Sequence, residues 1–370
     1  MLITAQNKRI DAVYPADFMN RKKCTVSIRQ CAPNFRSDGD LFDSEDALCA
    51  AALAMSAANK AMLEENLREL SYDKLVFLAY DGDHAEKSGV ALGIREDKDS
   101  TTVAIILRPT VGREWYSNFD IGYSAEHHGF LKAAEYAEQR LSDYLFVRQP
   151  RYTPHFFITG YSRGGAVANL LAKRLSDRYG TDMVRAYTFA SPNTCISVKG
   201  ARYGTIFNFV RDEDFFTRIP LSGWGYTKYG RTISLSDCGD IATRYRILTG
   251  EDYIGFSSDE AAQQFLCTAM RLAPNVHAYY ERTYPVGGHE IALCDYMLTA
   301  AQILSDETDE NTGELMVDAM VSEFAGLSEF LTGGMDIGAF LSPAQGIPRC
   351  SVADTHSPAA YMAALDAYFK

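Results

Sequence analysis

"HFFITGYSRGGAVANLLAKRL", residues 155–175, holds three patterns in succession. HFFITG is an aromatic and β-branched run of strand length. Gly160-Tyr161-Ser162-Arg163-Gly164 follows, and then an alanine- and leucine-rich stretch with helical spacing that closes at Gly180. A buried strand running through a tight turn into a helix is predicted. The glycines two positions to either side of Ser162 remove the Cβ atoms that would collide in such a turn. The serine hydroxyl is then held clear of the sheet at a helix N-terminus, where free N–H groups favour a developing negative charge.

Working outward, "DMVRAYTFASP" (182–192) and "GTIFNFVRDED" (204–214) read as two further buried strands ending in loops. Strand, helix, strand in this order implies a parallel sheet with helical crossovers. "KSGVALGIRED" (87–97) and "STTVAIILRPT" (100–110) suggest a hairpin or two adjacent strands, and "EHHGFLKAAEYAEQRLSDYL" (126–145) a helix beginning near Gly129. Residues 44–70 read as one or two helices opened at Ser44 by an N-capping pattern, and "YTKYGRTISLS" (226–236) as a small hairpin. The fold class expected is α/β and α/β-hydrolase-like, with a mostly parallel central sheet flanked by helices.

Four segments are expected along the chain. Residues 1–43 are polar and irregular, 44–257 form the core, 258–341 form a helical insertion without a strand, and 342–370 hold a loop and a final helix. Helices such as "DEAAQQFLCTAMRLA" in 258–341 must bury apolar stripes, either as a cap over the site or as an extra layer.

Composition narrows the function. The 370 residues carry 36 Lys and Arg against 48 Asp and Glu, a net charge of -12 with no basic stripe, which excludes a nucleic-acid partner. No apolar run approaches the roughly 18 residues of a membrane span. The first residues lack a secretory pattern, and eight cysteines without a C-x-x-C pair read as buried thiols, so a cytoplasmic location is expected. Adjacent His127 and His128 at a helix start point different ways and have no further ligand spacing, so no metal is expected.

The G-x-S-x-G sequence between a strand and a helix is the context of a nucleophile elbow, and it assigns Ser162 as a nucleophile. Such a serine needs a base, and a carboxylate to orient the base. In α/β-hydrolases these follow in the order Ser, Asp or Glu, His. Asp212, Glu213 and Asp214 lie just past the strand that ends near Val210. Beyond them stand His277, inside a helical stretch, His289, after Gly287-Gly288, and His356. Ser357 suits an N-cap and Pro358 a first helical position, which puts His356 on a loop directly before a final helix.

These residues resemble the class 3 lipase family, the α/β-hydrolases that include fungal triacylglycerol lipases, and especially its bacterial lipase-like relatives. "ITGYSRGGAVANLLA" is similar to the family's strand, elbow and helix, and "TFASPN" (188–193) to its T-F-G-x-P strand end. "HHGF" (127–130) resembles its H-x-G-F, and "LRPTVGREWYSNFD" (107–120) its R-G-T or R-G-S segment with a following tryptophan and aspartate. "DFFTRIP" (214–220) matches the acid motif with Asp214 in the acid position, and "HSPAAYMAAL" (356–365) favours His356 over the alternative His289 as base. The resemblance implies an oxyanion hole from Thr110 and the Arg163 N–H, a small-molecule ester or lipid substrate, and no cofactor. Tyr161 replaces the elbow histidine, Arg163 a leucine, and Pro109 the glycine before Thr110. The Arg163 side chain is expected near the pocket, where it would suit an anionic substrate group, or else in solvent or paired with an acid. The altered oxyanion segment motivates a second reading, a catalytically weak binding or scaffold protein on the same fold.

Overall fold

The structure, a computed structural model, describes residues 8–17, 22–30, 33, 35, 42–111, 114–118, 120, 124–196, 200–220, 222, 225–236, 239–253, 255 and 355–370, and the backbone of 283–286 and 289–292. The insertion expected over 258–341, whether cap or layer, lies outside the described residues apart from those two short strands, as does His277.

The strands β1 (Arg9–Pro15) and β2 (Lys23–Arg29) are followed by helices α1 (Ser44–Ser56) and α2 (Lys60–Glu69). Then come β3 (Asp73–Leu78), β4 (Val90–Glu96), β5 (Thr101–Leu107), α3 (Glu114–Asn118), α4 (His128–Arg148), β6 (Pro154–Tyr161) and α5 (Arg163–Tyr179). The remaining elements are β7 (Val184–Phe189), β8 (Cys195–Ile196), β9 (Ile206–Val210), β10 (Tyr226–Thr227), β11 (Arg231–Ser234), α6 (Ile241–Thr249), β12 (Thr283–Val286), β13 (His289–Ala292) and α7 (Pro358–Tyr368). A seven-stranded sheet in the order β11-β9-β7-β6-β5-β4-β3 forms the centre. From β11 to β5 every pairing is parallel, and β4 and β3 extend the sheet antiparallel. This is an α/β-hydrolase-like arrangement, a mostly parallel sheet flanked by helices.

Apolar runs without polar alternation are what two covered faces require. Every residue of β5, β7 and β9 is buried. Side chains still divide by parity. Ile106, Phe157, Tyr161, Tyr187, Phe189, Phe207 and Phe209 pack with α1 and α7 on one face, whereas Ile105, Phe156, Ile158, Val184 and Ala186 pack with α4 and α5 on the other.

Four expectations are corrected. The segment 1–43, expected to be irregular, contains the antiparallel hairpin of β1 and β2, whose Ala12, Tyr14 and Ile28 are fully buried. Exposed Arg9 and Asp11 alternate with buried Ile10, Ala12 and Tyr14, the period of two of a half-buried strand. Residues 226–236 do not pair with one another. β10 pairs antiparallel with β8 and β11 parallel with β9, so the stretch extends two sheets. Within 258–341, expected to hold no strand, β12 and β13 pair antiparallel across Gly287-Gly288, a two-residue hairpin signal. At α1 the capping oxygen belongs to Asp43, not Ser44, and accepts from the N–H groups of Glu45 and Asp46. Among the described residues no helix is long and apolar enough to cross a membrane.

The fold brings the start of α5 against the ends of β5 and β6. A Cβ on Gly164 would lie 2.2 Å from the Leu107 carbonyl oxygen, and one on Gly160 2.2 Å from the Gly164 carbonyl oxygen. Both clashes are with backbone. Gly164→Ala should therefore lose about 3 kcal/mol of stability by overpacking. Urea unfolding followed by circular dichroism measures it, and an unchanged midpoint would contradict this close approach.

Candidate active site

Ser162 occupies the turn between β6 and α5 with φ 57° and ψ -127°. A non-glycine residue there is strained by roughly 1–3 kcal/mol, so the surroundings must hold it. Its N–H donates to the Phe189 carbonyl at 2.9 Å, and its own carbonyl accepts the first helical bond from Ala166 at 3.1 Å. Ser162 itself is half-buried.

The acid arrives after β9. Asp214 is fully buried and caps the short turn Phe215–Arg218, with Oδ1 accepting from the Phe216 N–H at 3.2 Å. Its Oδ2 accepts from His356 Nδ1 at 2.7 Å and from the Tyr361 hydroxyl at 2.6 Å. Asp212 is exposed and accepts from Ser234 Oγ, while Glu213 pairs with Arg211. Of the three acids, Asp214 is the one on the imidazole.

His356 Nε2 lies 2.9 Å from Ser162 Oγ. With Nδ1–H given to a carboxylate, Nε2 carries the lone pair and accepts the serine proton. The loop that presents His356 is fixed from both sides. Ser357 caps α7 by accepting from the Ala360 N–H, Pro358 stands in its first turn, and the Tyr161 hydroxyl donates to the His356 carbonyl at 2.6 Å. The elbow tyrosine thus anchors the base. The backbone of His289 belongs to β13, opposite Val286, and its side chain lies outside the described residues.

On the other side of Ser162, Thr110 follows β5, and its Oγ1 accepts from Asn118 Nδ2 at 3.1 Å. The Arg163 side chain is neither at an open pocket nor in solvent. It is buried and donates to Asn118 Oδ1 at 2.7 Å and to the Ala85 and Lys87 carbonyls at 3.2 and 3.3 Å. That removes it as a receptor for an anionic substrate group. Burial lowers it to about 10, so it stays charged at neutral pH. Asp120, the acid of the 107–120 segment, meets His128 Nδ1 at 2.8 Å. His127 caps α4, accepts from the Phe130 N–H, and is driven down to about 3 mainly by burial.

Sequence reasoning missed Asn118 and Lys228. Lys228 Nζ is buried and donates to Asn193 Oδ1 and to the Thr217 carbonyl, both at 2.7 Å. Burial pulls it to about 7 against the opposing pull of the Asp214 charge. A lysine between Thr227 and Tyr229 in a polar stretch carries no signal of burial, and Asn118 sits in an unremarkable Tyr-Ser-Asn-Phe run.

Two outcomes follow from these contacts. Tyr361→Phe removes one of two hydroxyl or imidazole donors from Asp214 Oδ2 and should cost about 1.5–3 kcal/mol, the range for hydrogen bonds to charged groups, read as a lowered urea midpoint. For Lys228, whose folded value lies below its ordinary 10.5, the unfolded chain binds more protons between about pH 7 and 10. Stability should therefore rise with pH through that window by up to about 1.4 kcal/mol per unit. Lys228→Met should flatten that rise, compared by urea unfolding at pH 7.5 and 9.5. An equal slope in both proteins would refute the assignment.

Residues 108–224, from the end of β5 through the elbow to the acid loop, match the family described as Lipase (class 3). The chain is 26% identical over 159 residues to the protein named secreted mono- and diacylglycerol lipase 1 of Fusarium solani, a stretch that covers 38% of this chain and 46% of that one. It thus spans about half the length of this curated relative. Among solved structures it is similar to the Rhizomucor miehei lipase propeptide complex, with 18% identity, a TM-score of 0.42, and 52% and 68% of the two chains covered. The lipase from Rhizopus microsporus var. chinensis has 17% identity and a TM-score of 0.39, with 51% of this chain and 73% of that chain covered.

Proposed function

We propose that this chain is a serine hydrolase that cleaves carboxylic esters of the lipid class through an acyl-enzyme. The observation that carries this reading is the continuous hydrogen-bonded chain from Ser162 Oγ through His356 to Asp214. As the Ser162 oxygen attacks an ester carbonyl, its proton passes to His356 Nε2, and the buried Asp214 carboxylate stabilises the imidazolium. The tetrahedral intermediate puts negative charge on the former carbonyl oxygen, beside the Arg163 N–H at the start of α5 and the Thr110 segment. Collapse expels the alcohol, which takes the proton from Nε2. Water activated by the same imidazole then attacks the acyl-serine and releases the acid.

The class 3 lipase match over 108–224 and the acylglycerol activity in the name of the Fusarium relative support a lipid ester as the substrate class. A place on the bacterial lipase-like side of that family is part of this proposal, and Tyr161 and Arg163 stand apart from the family's usual elbow pattern. The buried thiols of Cys24, Cys49 and Cys195 support a reducing, cytoplasmic setting.

A fluorophosphonate probe should label Ser162, and Ser162→Ala should abolish labelling and lower p-nitrophenyl ester turnover by about 10³-fold or more. His356→Ala should lower turnover comparably. Labelling that persists in Ser162→Ala would overturn the assignment, and a wild-type protein that neither labels nor turns over would leave the binding or scaffold reading.

A further inference from the structure

Arg211 is fully buried just past the end of β9, in the loop that carries Asp214, and its contacts reach the chain on both sides of the base. Nη1 donates to the carbonyl of Thr355, the residue before His356, at 3.4 Å. The guanidinium also lies 5.9 Å from the ring centre of Tyr361, whose hydroxyl donates to Asp214 Oδ2 at 2.6 Å. A phenol has one proton, so with that proton on the carboxylate the Tyr361 oxygen accepts from the Arg211 backbone N–H at 3.3 Å. Nη2 donates to the Tyr253 hydroxyl, the Tyr253 ring centre is 5.4 Å from the guanidinium, and Nε is 3.6 Å from the Glu213 carboxylate. Tyr253 stands shortly after α6 and Thr355 shortly before α7. One side chain thus gathers three stretches that are far apart in sequence.

We infer that Arg211 is a positioning residue of the acid–base pair: its guanidinium clamps the peptide before His356 to the strand end that carries Asp214, and so sets the imidazole against the carboxylate. The base sits on a loop, and the peptide on either side of it decides where the ring points. After His356, Ser357 caps α7, and the Tyr161 hydroxyl holds the His356 carbonyl. Before His356, the Thr355 carbonyl rests on Arg211. A rigid planar fork with five donors can serve Thr355, Tyr253 and Glu213 together, which an ammonium group cannot do in the same geometry. In a dry interior, letting go of any of them leaves a charge short of partners, so the clamp resists loosening. What it protects is the pair of distances that proton transfer needs, 2.7 Å from His356 Nδ1 to Asp214 Oδ2 and 2.9 Å from Nε2 to Ser162 Oγ. This inference rests on the ester-hydrolase reading, and the test separates the two.

Arg211→Lys keeps a positive charge beside Glu213 but lacks the fork, and Arg211→Met removes both. Turnover of p-nitrophenyl esters is compared per serine titrated by a fluorophosphonate, well below each variant's thermal midpoint, so that unfolded protein does not count. kcat should fall about tenfold in Arg211→Lys and about 10²-fold in Arg211→Met, the loss expected when a catalytic group is displaced by about 1 Å. KM should stay within about twofold, because Arg211 does not touch the substrate. The rate of fluorophosphonate labelling should fall in step with kcat, since it needs the same base. An arginine that only stabilised the fold would lower the midpoint and leave kcat per titrated serine unchanged. Where Arg211→Met does not fold, Arg211→Lys decides. A folded Arg211→Lys whose kcat and labelling rate match the wild type, or whose loss lies in KM alone, would overturn the clamp while labelling of wild-type Ser162 upholds the hydrolase. A wild-type Ser162 that does not react would overturn both.

Discussion

The first turn of α5 lies against the carbonyl ends of β5 and β6 at a distance that only glycine permits. Gly160 and Gly164 make that contact, and Gly165 meets Ser191 and the Phe189 carbonyl on the next strand. Their absent side chains let the helix begin directly on the sheet edge. The left-handed Ser162 between them is a consequence, held there by the bond from its N–H to Phe189. Every other part of the site is placed relative to this junction. The acid comes from the strand two positions along the sheet, the base from a helix on one face, and Thr110 from the neighbouring strand on the other side.

A second constraint is the amount of charge buried around the junction. Arg108 and Glu114 pair at 2.8 Å with almost no exposure, and Arg163, Arg211, Asp214 and Lys228 are buried as well. Each would be prohibitively costly alone. Here each is met by a carbonyl, a carboxylate or an amide, so the charges order the loops that carry them. The 108–118 segment illustrates this. Glu114 binds Arg108 and the Val111 N–H, and Asn118 binds Thr110, which closes a short loop on itself beneath the site. Polar groups thereby fix what an apolar loop of that length would leave loose.

The elements with an unmistakable local signal were legible in the sequence. The strand, turn and helix at 155–175, the parallel strands after it, and a Ser-Pro cap just past His356 all combine periodicity with turn or capping residues. Of what escaped, the hairpin at the N-terminal end had a local signal, Ile10, Ala12 and Tyr14 alternating with polar Arg9 and Asp11, and the rest is tertiary by nature. Residues 226–236 have strand-forming content, but their partners lie at 195–196 and 206–210, which no local pattern specifies. Asn118 and Lys228 acquire their importance from residues at 163 and 214, and the destination of the Arg163 side chain depends on the same long-range contacts. A spacing argument can find a nucleophile and its partners, but it cannot find what stands behind them.

The position of α7 bears on the order in which the protein is made. Its first turn bonds to Ala16 next to β1, and its buried face joins α1, α6 and β1, so the imidazole is seated by an element that docks onto the opposite end of the chain. During synthesis the elbow and Asp214 can form while the sequence from 355 onward is still to come. Such a partial chain has its serine in strained geometry but no proton acceptor beside it. The contact between imidazole and serine hydroxyl is therefore completed only by the last described helix to emerge.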